Sequence, residues 1–129
     1  KNEKEINKIN SKIIIYSIKN NINLLGICYG AEILALTLGG TIRKILSPQK
    51  GNETINILQE NLISSNSLDV FESHRFEISQ LPSVLIPLAE SKNCKYEIIQ
   101  YEKNLIFGTQ FHPEMSQDGH NLIEKFCLL

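Results

Sequence analysis

The turn around Cys28 constrains the fold of this chain more than any other feature of the sequence. Residues 24–32 read Leu-Leu-Gly-Ile-Cys-Tyr-Gly-Ala-Glu, so a short apolar run leads into Cys28 and a helical pattern of apolar residues begins directly after it. This order predicts a strand over residues 24–28, a tight turn and then a helix. Gly26 and Gly30 suit such a turn, because a Cβ at either position is expected to clash with the crossing chain.

The same turn predicts a reactive thiol. A tight strand-to-helix turn forces the residue at its apex into a strained backbone conformation and exposes its side chain. The thiol of Cys28 would then face the N-terminus of a helix, whose free N–H groups and dipole favour thiolate over thiol. The alternative is a small, buried, apolar cysteine that lies between two glycines by chance. We predict that Cys28 is a nucleophile.

Composition limits the classes of protein to which the chain can belong. Its 129 residues, 42% hydrophobic and 21% charged, are typical of one soluble globular domain over residues 1–129. A net charge of −1, with no stripe of Lys and Arg, gives no support for nucleic-acid binding. No apolar run reaches the roughly 18 residues of a membrane span, and the charged start does not resemble a signal peptide.

The cysteines indicate a reducing compartment. Three cysteines, at positions 28, 94 and 127, suit neither a disulfide framework nor a zinc site. We therefore expect a cytoplasmic protein with reduced thiols, no bound metal and no membrane association. Cys94 and Cys127 are expected to be structural.

Periodicity predicts an α/β architecture. Helices are expected over residues 3–20, from just after Cys28 to about Leu38 before Gly39-Gly40, and over 118–129. In the last helix Asp118 is a candidate cap, and the residues expected to face inward are Leu122, Ile123, Phe126 and Cys127. Further strands are predicted over residues 41–46, 54–58, 84–89, 96–101 and 105–110.

A cysteine nucleophile needs a base, which is usually a histidine held by a third group. His112 follows the strand predicted over 105–110, so it should lie at a strand end, where the sites of α/β proteins gather. Glu114, two residues further on, can reach back to the second nitrogen of the imidazole. His74 and His120 are expected to be ordinary structural or surface residues.

Two motifs give the chain a family resemblance. Gly-Ile-Cys-Tyr-Gly at 26–30 and Gly-Thr-Gln-Phe-His-Pro-Glu at 108–114 resemble the class I glutamine amidotransferases, whose signatures are G-x-C-x-G-x-Q and Q-x-H-P-E. Within that superfamily the chain is most similar to the glutaminase part of GMP synthetases. The softer points of likeness include the tyrosine after Cys28 and the Ser73-His74 pair. The likeness extends from about residue 12 to the C-terminus.

The resemblance implies a flavodoxin-like class I glutamine amidotransferase fold and a reaction at a Cys-His-Glu triad. Cys28 would attack the side-chain amide of glutamine, and His112 would protonate the leaving ammonia. Glu114 would orient His112, and water would then release glutamate from the thioester. The backbone N–H of Tyr29 would be one oxyanion donor, since it opens the helix after the nucleophile.

The resemblance also implies a substrate site and a partner. Ser73, Arg75 and Phe76 align with the segment that holds the α-amino and α-carboxylate groups of glutamine, largely through backbone atoms. The ammonia would pass to an ATP-pyrophosphatase-type synthetase that aminates XMP. This chain has no phosphate-binding loop, so the synthetase is expected to be a separate polypeptide that brings ATP and magnesium, and no cofactor is expected here.

The chain departs from the family pattern in two ways. Glu32 stands where the family has glutamine, one helical turn after Cys28 and on the same side of the helix. A carboxylate only accepts hydrogen bonds, and its charge opposes thiolate formation; it could repel the substrate carboxylate, or bind the α-ammonium group. The first strands of the family and a Gly-Gly-Pro loop, which supplies the second oxyanion N–H, have no counterpart in this sequence.

These departures leave two alternatives to a GMP synthetase glutaminase. Glu32 favours another amidotransferase, or a hydrolase of the same fold that acts on γ-glutamyl amides. Glu32 and the missing loop together are also consistent with an inactive homologue that has a binding or regulatory role. The presence of Cys28, His112 and Glu114 argues for an active enzyme.

Overall fold

The computed structural model describes residues 2–129 as a mixed α/β chain. Its first half comprises α1 (Asn2–Lys19), β1 (Leu24–Ile27), α2 (Tyr29–Thr37) and β2 (Thr41–Ile57). Its second half comprises β3 (Leu68–Gln80), β4 (Leu85–Ser91), β5 (Cys94–Tyr101), β6 (Ile106–Thr109), a 3₁₀ turn (Pro113–Met115) and α3 (Gln117–Cys127). Within this range no helix combines the length and the apolar character needed to cross a membrane.

The sheet brings two distant parts of the sequence to one edge. Its six strands lie in the order β1-β6-β5-β4-β2-β3. β1 and β6 are parallel, in a register that runs from Leu24 opposite Ile106 to Ile27 opposite Thr109, and the other neighbours are antiparallel. Because the carboxyl ends of parallel neighbours meet at the same edge, the residues after Ile27 and those after Thr109 lie side by side.

Hydrophobic side chains fill both faces of the sheet. Ile98 of β5 and Phe107 of β6 belong to a cluster that includes residues of α3, whereas their neighbours Ile99 and Ile106 belong to a cluster with residues of α1 and α2. Successive residues of a strand point to opposite faces, so these pairs show that the central strands are covered on both sides. The hydrophobic core therefore lies on both faces of the central strands.

Two sequence predictions for the strands need correction. The segments predicted separately over 41–46 and 54–58 are one strand, β2, whose pairing with β3 is irregular between Lys44 and Gln49. β3 was not predicted at all. Its inward positions include Glu72 and His74, which are 0% and 7% exposed, so the strand lacks the apolar alternation that marks most half-buried strands.

The cap of α3 is Ser116 and not Asp118. The Ser116 hydroxyl accepts a hydrogen bond of 3.0 Å from the backbone N–H of Gly119, as an N-cap residue does. The Asp118 carboxylate instead accepts a hydrogen bond of 2.8 Å from the backbone N–H of Asp69. Asp118 thus ties the first turn of α3 to the start of β3.

Fewer residues of α3 are buried than the sequence predicts. Leu122 is buried, Ile123 and Phe126 are half-buried, and Cys127 is exposed, so the prediction that Cys127 faces inward is wrong. The ring of Phe126 packs edge-on against Phe107, with centroids 6.1 Å apart. The inward stripe ends there because the helix itself ends at Cys127.

Candidate active site

Cys28 lies at the apex of a strained turn between β1 and α2, as predicted. Its backbone has φ 54° and ψ −101°, in the region that non-glycine residues rarely adopt. The N–H of Cys28 donates to the carbonyl of Thr109 at 2.6 Å, and its own carbonyl accepts from Ala31 and Glu32 at the start of the helix. The end of β6 and the first turn of α2 together hold this conformation in place.

The two glycines of the turn are not equivalent. A Cβ on Gly26 would lie 2.8 Å from the backbone carbonyl carbon and oxygen of Gly30, so position 26 must be glycine. A Cβ on Gly30 would meet nothing within 4 Å, and the prediction that Gly30 is needed for space is wrong. Gly30 lies against position 26 through its backbone carbonyl group, and a residue of any type at position 30 has that group.

The thiol of Cys28 is protonated in this structure. Burial and the negative charge of Glu32 raise the pKa of the thiol to about 11, and a hydrogen bond with the backbone N–H of Tyr29 only partly offsets them. The backbone N–H at the start of α2 does favour thiolate, as the sequence predicts, but burial and Glu32 raise the thiol pKa by more. Removal from water and a nearby carboxylate outweigh the helix dipole at this position.

The imidazole of His112 and the thiol of Cys28 both contact the carbonyl oxygen of Ser73. His112 Nδ1 lies 2.9 Å from Glu114 Oε2, as the spacing predicts, and Nε2 lies 3.3 Å from the carbonyl oxygen of Ser73. Cys28 Sγ lies 3.7 Å from the same Ser73 oxygen. Across residues 2–129 no hydrogen bond joins the thiol directly to the imidazole. A carbonyl oxygen only accepts, so the Cys28 thiol and His112 Nε2 both donate to it.

Two residues of the segment expected to bind substrate, Ser73 and Arg75, line an open depression. The depression has a volume of about 400 Å³ and is lined by Pro48, Gln49, Lys50, Ser73, His74 and Arg75. Arg75 is exposed, so its guanidinium is available to a ligand. Phe76, also expected here, does not line the depression; its carbonyl accepts a hydrogen bond from His74 instead.

Glu32 is buried next to the thiol and is paired with an amide. Its residue is 3% exposed, and its carboxylate accepts a hydrogen bond of 2.9 Å from Gln110 Nε2. Burial raises the pKa of Glu32, while the Gln110 amide and the charge of His74 act against that rise. Arg75 lies exposed on β3, and within residues 2–129 no salt bridge joins it to Glu32.

Gln110 is a site residue that sequence reasoning missed. It is 0% exposed, and its Nε2 lies 3.9 Å from Cys28 Sγ in addition to its contact with Glu32. Its Oε1 is buried with no hydrogen-bond partner among residues 2–129. The signal was present in the sequence, because Gln110 belongs to the same motif as His112 and precedes it by two residues.

We expect Glu32→Gln to make the Cys28 thiol more reactive. The change removes a negative charge that raises the thiol pKa, so more thiolate is present at any pH below that pKa. A fall of about one pKa unit would raise the rate of alkylation by iodoacetamide up to about tenfold near pH 8. Peptide-resolved mass spectrometry across pH 6 to 9 measures this rate at Cys28 alone.

Glu124→Gln is the matched control, because Glu124 is exposed on α3. It should leave the alkylation profile of Cys28 unchanged. Identical profiles for the wild type and Glu32→Gln would mean that the Glu32 carboxyl is already neutral at these pH values, and would contradict the electrostatic explanation.

The sequence of this chain is similar to those of known proteins. The family model for "Glutamine amidotransferase class-I" matches residues 3–128. The glutamine-hydrolyzing GMP synthase subunit of Saccharolobus solfataricus is 40% identical over 128 residues, which cover 95% of this chain and 67% of the relative. The corresponding subunit of Sulfolobus acidocaldarius is 41% identical over 111 residues, covering 82% of this chain and 59% of the relative.

Solved structures share the fold. A crystal structure of a Thermoplasma acidophilum protein, described as a GMP synthase subunit, matches with a TM-score of 0.81 and 29% identity, over 91% of this chain and 61% of that one. A glutamine amidotransferase of Thermotoga maritima matches with a TM-score of 0.76 and 24% identity, over 93% of this chain and 53% of that one. The predicted fold class is confirmed. The chain spans between about half and two thirds of the length of these four proteins.

Proposed function

Because this chain belongs to the class-I glutamine amidotransferase family, we propose that the complete protein hydrolyses glutamine to glutamate and ammonia at Cys28. The observation that carries the proposal is the pairing of a strained cysteine with a Glu-bound histidine at one carbonyl oxygen. Such a turn exposes a nucleophile to the N–H groups of the following helix, and the histidine supplies the proton transfers.

The reaction begins when His112 accepts the proton of the Cys28 thiol. The thiolate attacks the side-chain amide carbon of glutamine, and the backbone N–H of Tyr29 stabilises the oxyanion. The carbon–nitrogen bond breaks as His112 protonates the leaving ammonia, which produces a thioester. Water, deprotonated by His112, then attacks the thioester, glutamate leaves, and the proton returns to the sulfur. Glu114 stabilises the imidazolium in both halves of the reaction.

Substrate binding has to rearrange the protons of the resting site. His112 Nε2 cannot accept the thiol proton while it donates to the Ser73 carbonyl. The α-ammonium group of glutamine is a better donor to the Ser73 carbonyl than a thiol is, and Arg75 offers a guanidinium to the α-carboxylate. Glutamine bound in this way frees the sulfur and the imidazole from the carbonyl they share. Phe76, exposed at the same end of β3, contributes backbone contacts.

The acceptor of the ammonia is proposed from the relatives. The Saccharolobus and Sulfolobus proteins are named as glutamine-hydrolyzing subunits of GMP synthase. We infer a separate synthetase subunit of the ATP-pyrophosphatase type that aminates XMP and brings ATP and magnesium. The complete protein works in the cytoplasm and needs no cofactor of its own.

A second candidate is hydrolysis of γ-glutamyl amides other than free glutamine. The buried Glu32 carboxyl favours it, because this group is fixed by Gln110 within reach of the thiol and changes the charge of the site. If Glu32 serves only as a substitute for the family glutamine, Glu32→Gln should increase glutaminase activity, or remove a pH dependence. If it recognises a different amide, the same change should abolish turnover of that amide.

Affinity labelling tests whether the site around the thiol binds glutamine. We expect a glutamine-analogue electrophile to modify Cys28 of the folded, complete protein, with protection by excess glutamine. His112→Asn should slow this labelling on the order of 10²-fold, the usual contribution of a general base. Iodoacetamide, which has no glutamine-like part, serves as the control for a generally accessible thiol.

Two results would contradict the proposal. One is the absence of analogue labelling in protein whose Cys28 still reacts with iodoacetamide, which is the behaviour expected of an inactive protein with a binding or regulatory role. The other is labelling that excess glutamine does not slow.

A further inference from the structure

Three ionisable side chains lie buried behind the site and have no part in the reaction described above. Glu72 and Glu97 are 0% exposed and His74 is 7% exposed. Glu72 and His74 lie on either side of Ser73 in β3. The carbonyl oxygen of Ser73 is the hydrogen-bond acceptor for both the Cys28 thiol and the His112 imidazole. Burial of charged groups is costly unless they are paired, so this cluster requires a reason.

The hydrogen bonds of His74 fix where its protons are. Nδ1 lies 2.8 Å from the carbonyl oxygen of Phe76, which can only accept, so Nδ1 carries a hydrogen. Nε2 lies 2.9 Å from Glu72 Oε1. A carboxylate at that position requires a hydrogen on Nε2 as well, which makes His74 an imidazolium paired with Glu72.

Two oxygen atoms of the cluster have no visible partner. Glu72 Oε2 and Glu97 Oε1 are buried without a hydrogen bond from any residue in the described range. Glu72 lies close enough to Glu97 to contribute to the rise in the pKa of Glu97. The second oxygen of Glu97 is already satisfied, since it accepts from Ser91 Oγ at 2.6 Å. One proton between the carboxyl groups satisfies both of the remaining oxygens.

The charges then cancel within the cluster. With one proton between them the two carboxyl groups carry a single negative charge, and the imidazolium of His74 balances it, which suits a site closed to water. Burial and the neighbouring Glu72 raise the pKa of Glu97 to about 10, in agreement with a proton on Glu97. Contact with Glu72 raises the pKa of His74, although burial alone would lower it.

Other titratable groups lie around the cluster of Glu72, His74 and Glu97. They are Glu32 and Cys28 beside α2, Glu53 on β2, Glu77 on β3 and Cys94 on β5. Glu77 is bound by Arg43 at 2.7 Å, and the Cys94 thiol is held neutral by burial. No group of three or more potential metal ligands is arranged as a metal site anywhere in residues 2–129.

We propose that Glu72, His74 and Glu97 form a buried positioning unit, joined by one proton shared between the two carboxyl groups, that fixes the Ser73 carbonyl between Cys28 and His112. The proposal rests on the function proposed above, in which Cys28 and His112 are the reacting pair. The unit acts on the reaction only through Ser73. Its two members in β3 anchor the backbone on either side of that residue, and Glu97 ties them to β5.

The shared proton predicts opposite results for two similar substitutions. Glu97→Gln places an NH₂ group where the protonated carboxyl of Glu97 lies, so it can still donate to Glu72 and accept from Ser91. Glu72→Gln removes the negative charge that keeps His74 protonated. We therefore expect Glu97→Gln to behave like the wild type and Glu72→Gln to disrupt the unit.

Nuclear magnetic resonance of the imidazole nitrogens measures the charge of His74 in the full chain. In the wild type and in Glu97→Gln, His74 should be an imidazolium at pH 7, where a free imidazole with a pKa of about 6.5 is mostly neutral. In Glu72→Gln it should be neutral. A neutral His74 in the wild type overturns the proposal without any variant having to fold.

Labelling of Cys28 measures the effect on the site. We expect Glu72→Gln to lower the rate of labelling by the glutamine-analogue electrophile on the order of 10-fold relative to iodoacetamide, through weaker binding of the analogue. Glu97→Gln should leave that ratio within about twofold of the wild type. Equal losses in both variants, or a loss in Glu97→Gln alone, would overturn the placement of the proton. An unchanged ratio in Glu72→Gln would overturn the positioning role, whereas a wild type that the analogue does not label would overturn the proposed function instead.

Discussion

Replacement of Cys28 by serine should abolish ammonia release from glutamine, with a loss in kcat on the order of 10⁴-fold or more. A serine hydroxyl ionises far less readily than a thiol, and the Glu32 carboxylate beside it would oppose the alkoxide further. Steady-state ammonia release by the complete protein, together with the proposed synthetase partner, measures the loss.

Cys127→Ser is the matched control for that experiment. Cys127 is exposed at the end of α3, so its replacement should leave ammonia release unchanged. Addition of free ammonia should restore product formation by the synthetase when it is paired with Cys28→Ser, which separates loss of chemistry from loss of assembly. Substantial glutamine hydrolysis by Cys28→Ser would exclude Cys28 as the nucleophile.

Gly119→Ala should have the largest effect on stability of any single methyl group added to the chain. A Cβ at this position would lie 2.1 Å from the carbonyl oxygen and 2.5 Å from the Cα of Pro113, and backbone atoms cannot rotate away as side chains do. We expect a loss of about 3 kcal/mol or more in the free energy of unfolding. Thermal denaturation should show a fall in Tm on the order of 10 °C.

Gly30→Ala provides the comparison for the same chemical change. Its Cβ would meet nothing within 4 Å, and the position lies in the first turn of α2. The expected result is no loss of stability, or a gain of up to about 1 kcal/mol from reduced backbone freedom. Equal Tm values for Gly119→Ala and the wild type would show that α3 does not pack on the Pro113 turn as described. In Gly119→Ala, the displacement of Pro113 should also disturb His112, which directly precedes it.

The parts of the site that the sequence predicted are those that neighbouring residues determine. The turn at Cys28 is specified by the change from an apolar run to a helical pattern, and by Gly26. The contact of His112 with Glu114 spans only two residues, so the motif itself predicts it. The ends of β1 and α2 likewise depend on local signals, and their positions agree with the sequence to within a few residues.

The parts that were missed depend on contacts between distant residues. β3 escaped detection because Glu72 and His74 satisfy each other inside the protein, and neither alone looks like a buried residue. The pairing of Glu32 with Gln110 joins positions 78 residues apart. The protonation of the Cys28 thiol follows from burial and from a buried charge, which oppose a helix dipole that the sequence does show. Periodicity carries no information about such compensations.

The parallel pairing of β1 with β6 has a consequence for how sequences of this kind can diverge. The reacting groups are attached to the ends of two neighbouring strands, so their spacing is set by a ladder of four residue pairs and by the hydrogen bond from Cys28 to Thr109. Changes of length in loops away from these two strands leave that spacing intact. Deletion of a single residue within β6 would instead turn every later side chain of the strand to the opposite face. Natural variation is therefore expected to tolerate insertions and deletions in the loops and to exclude them from the four paired positions of each strand.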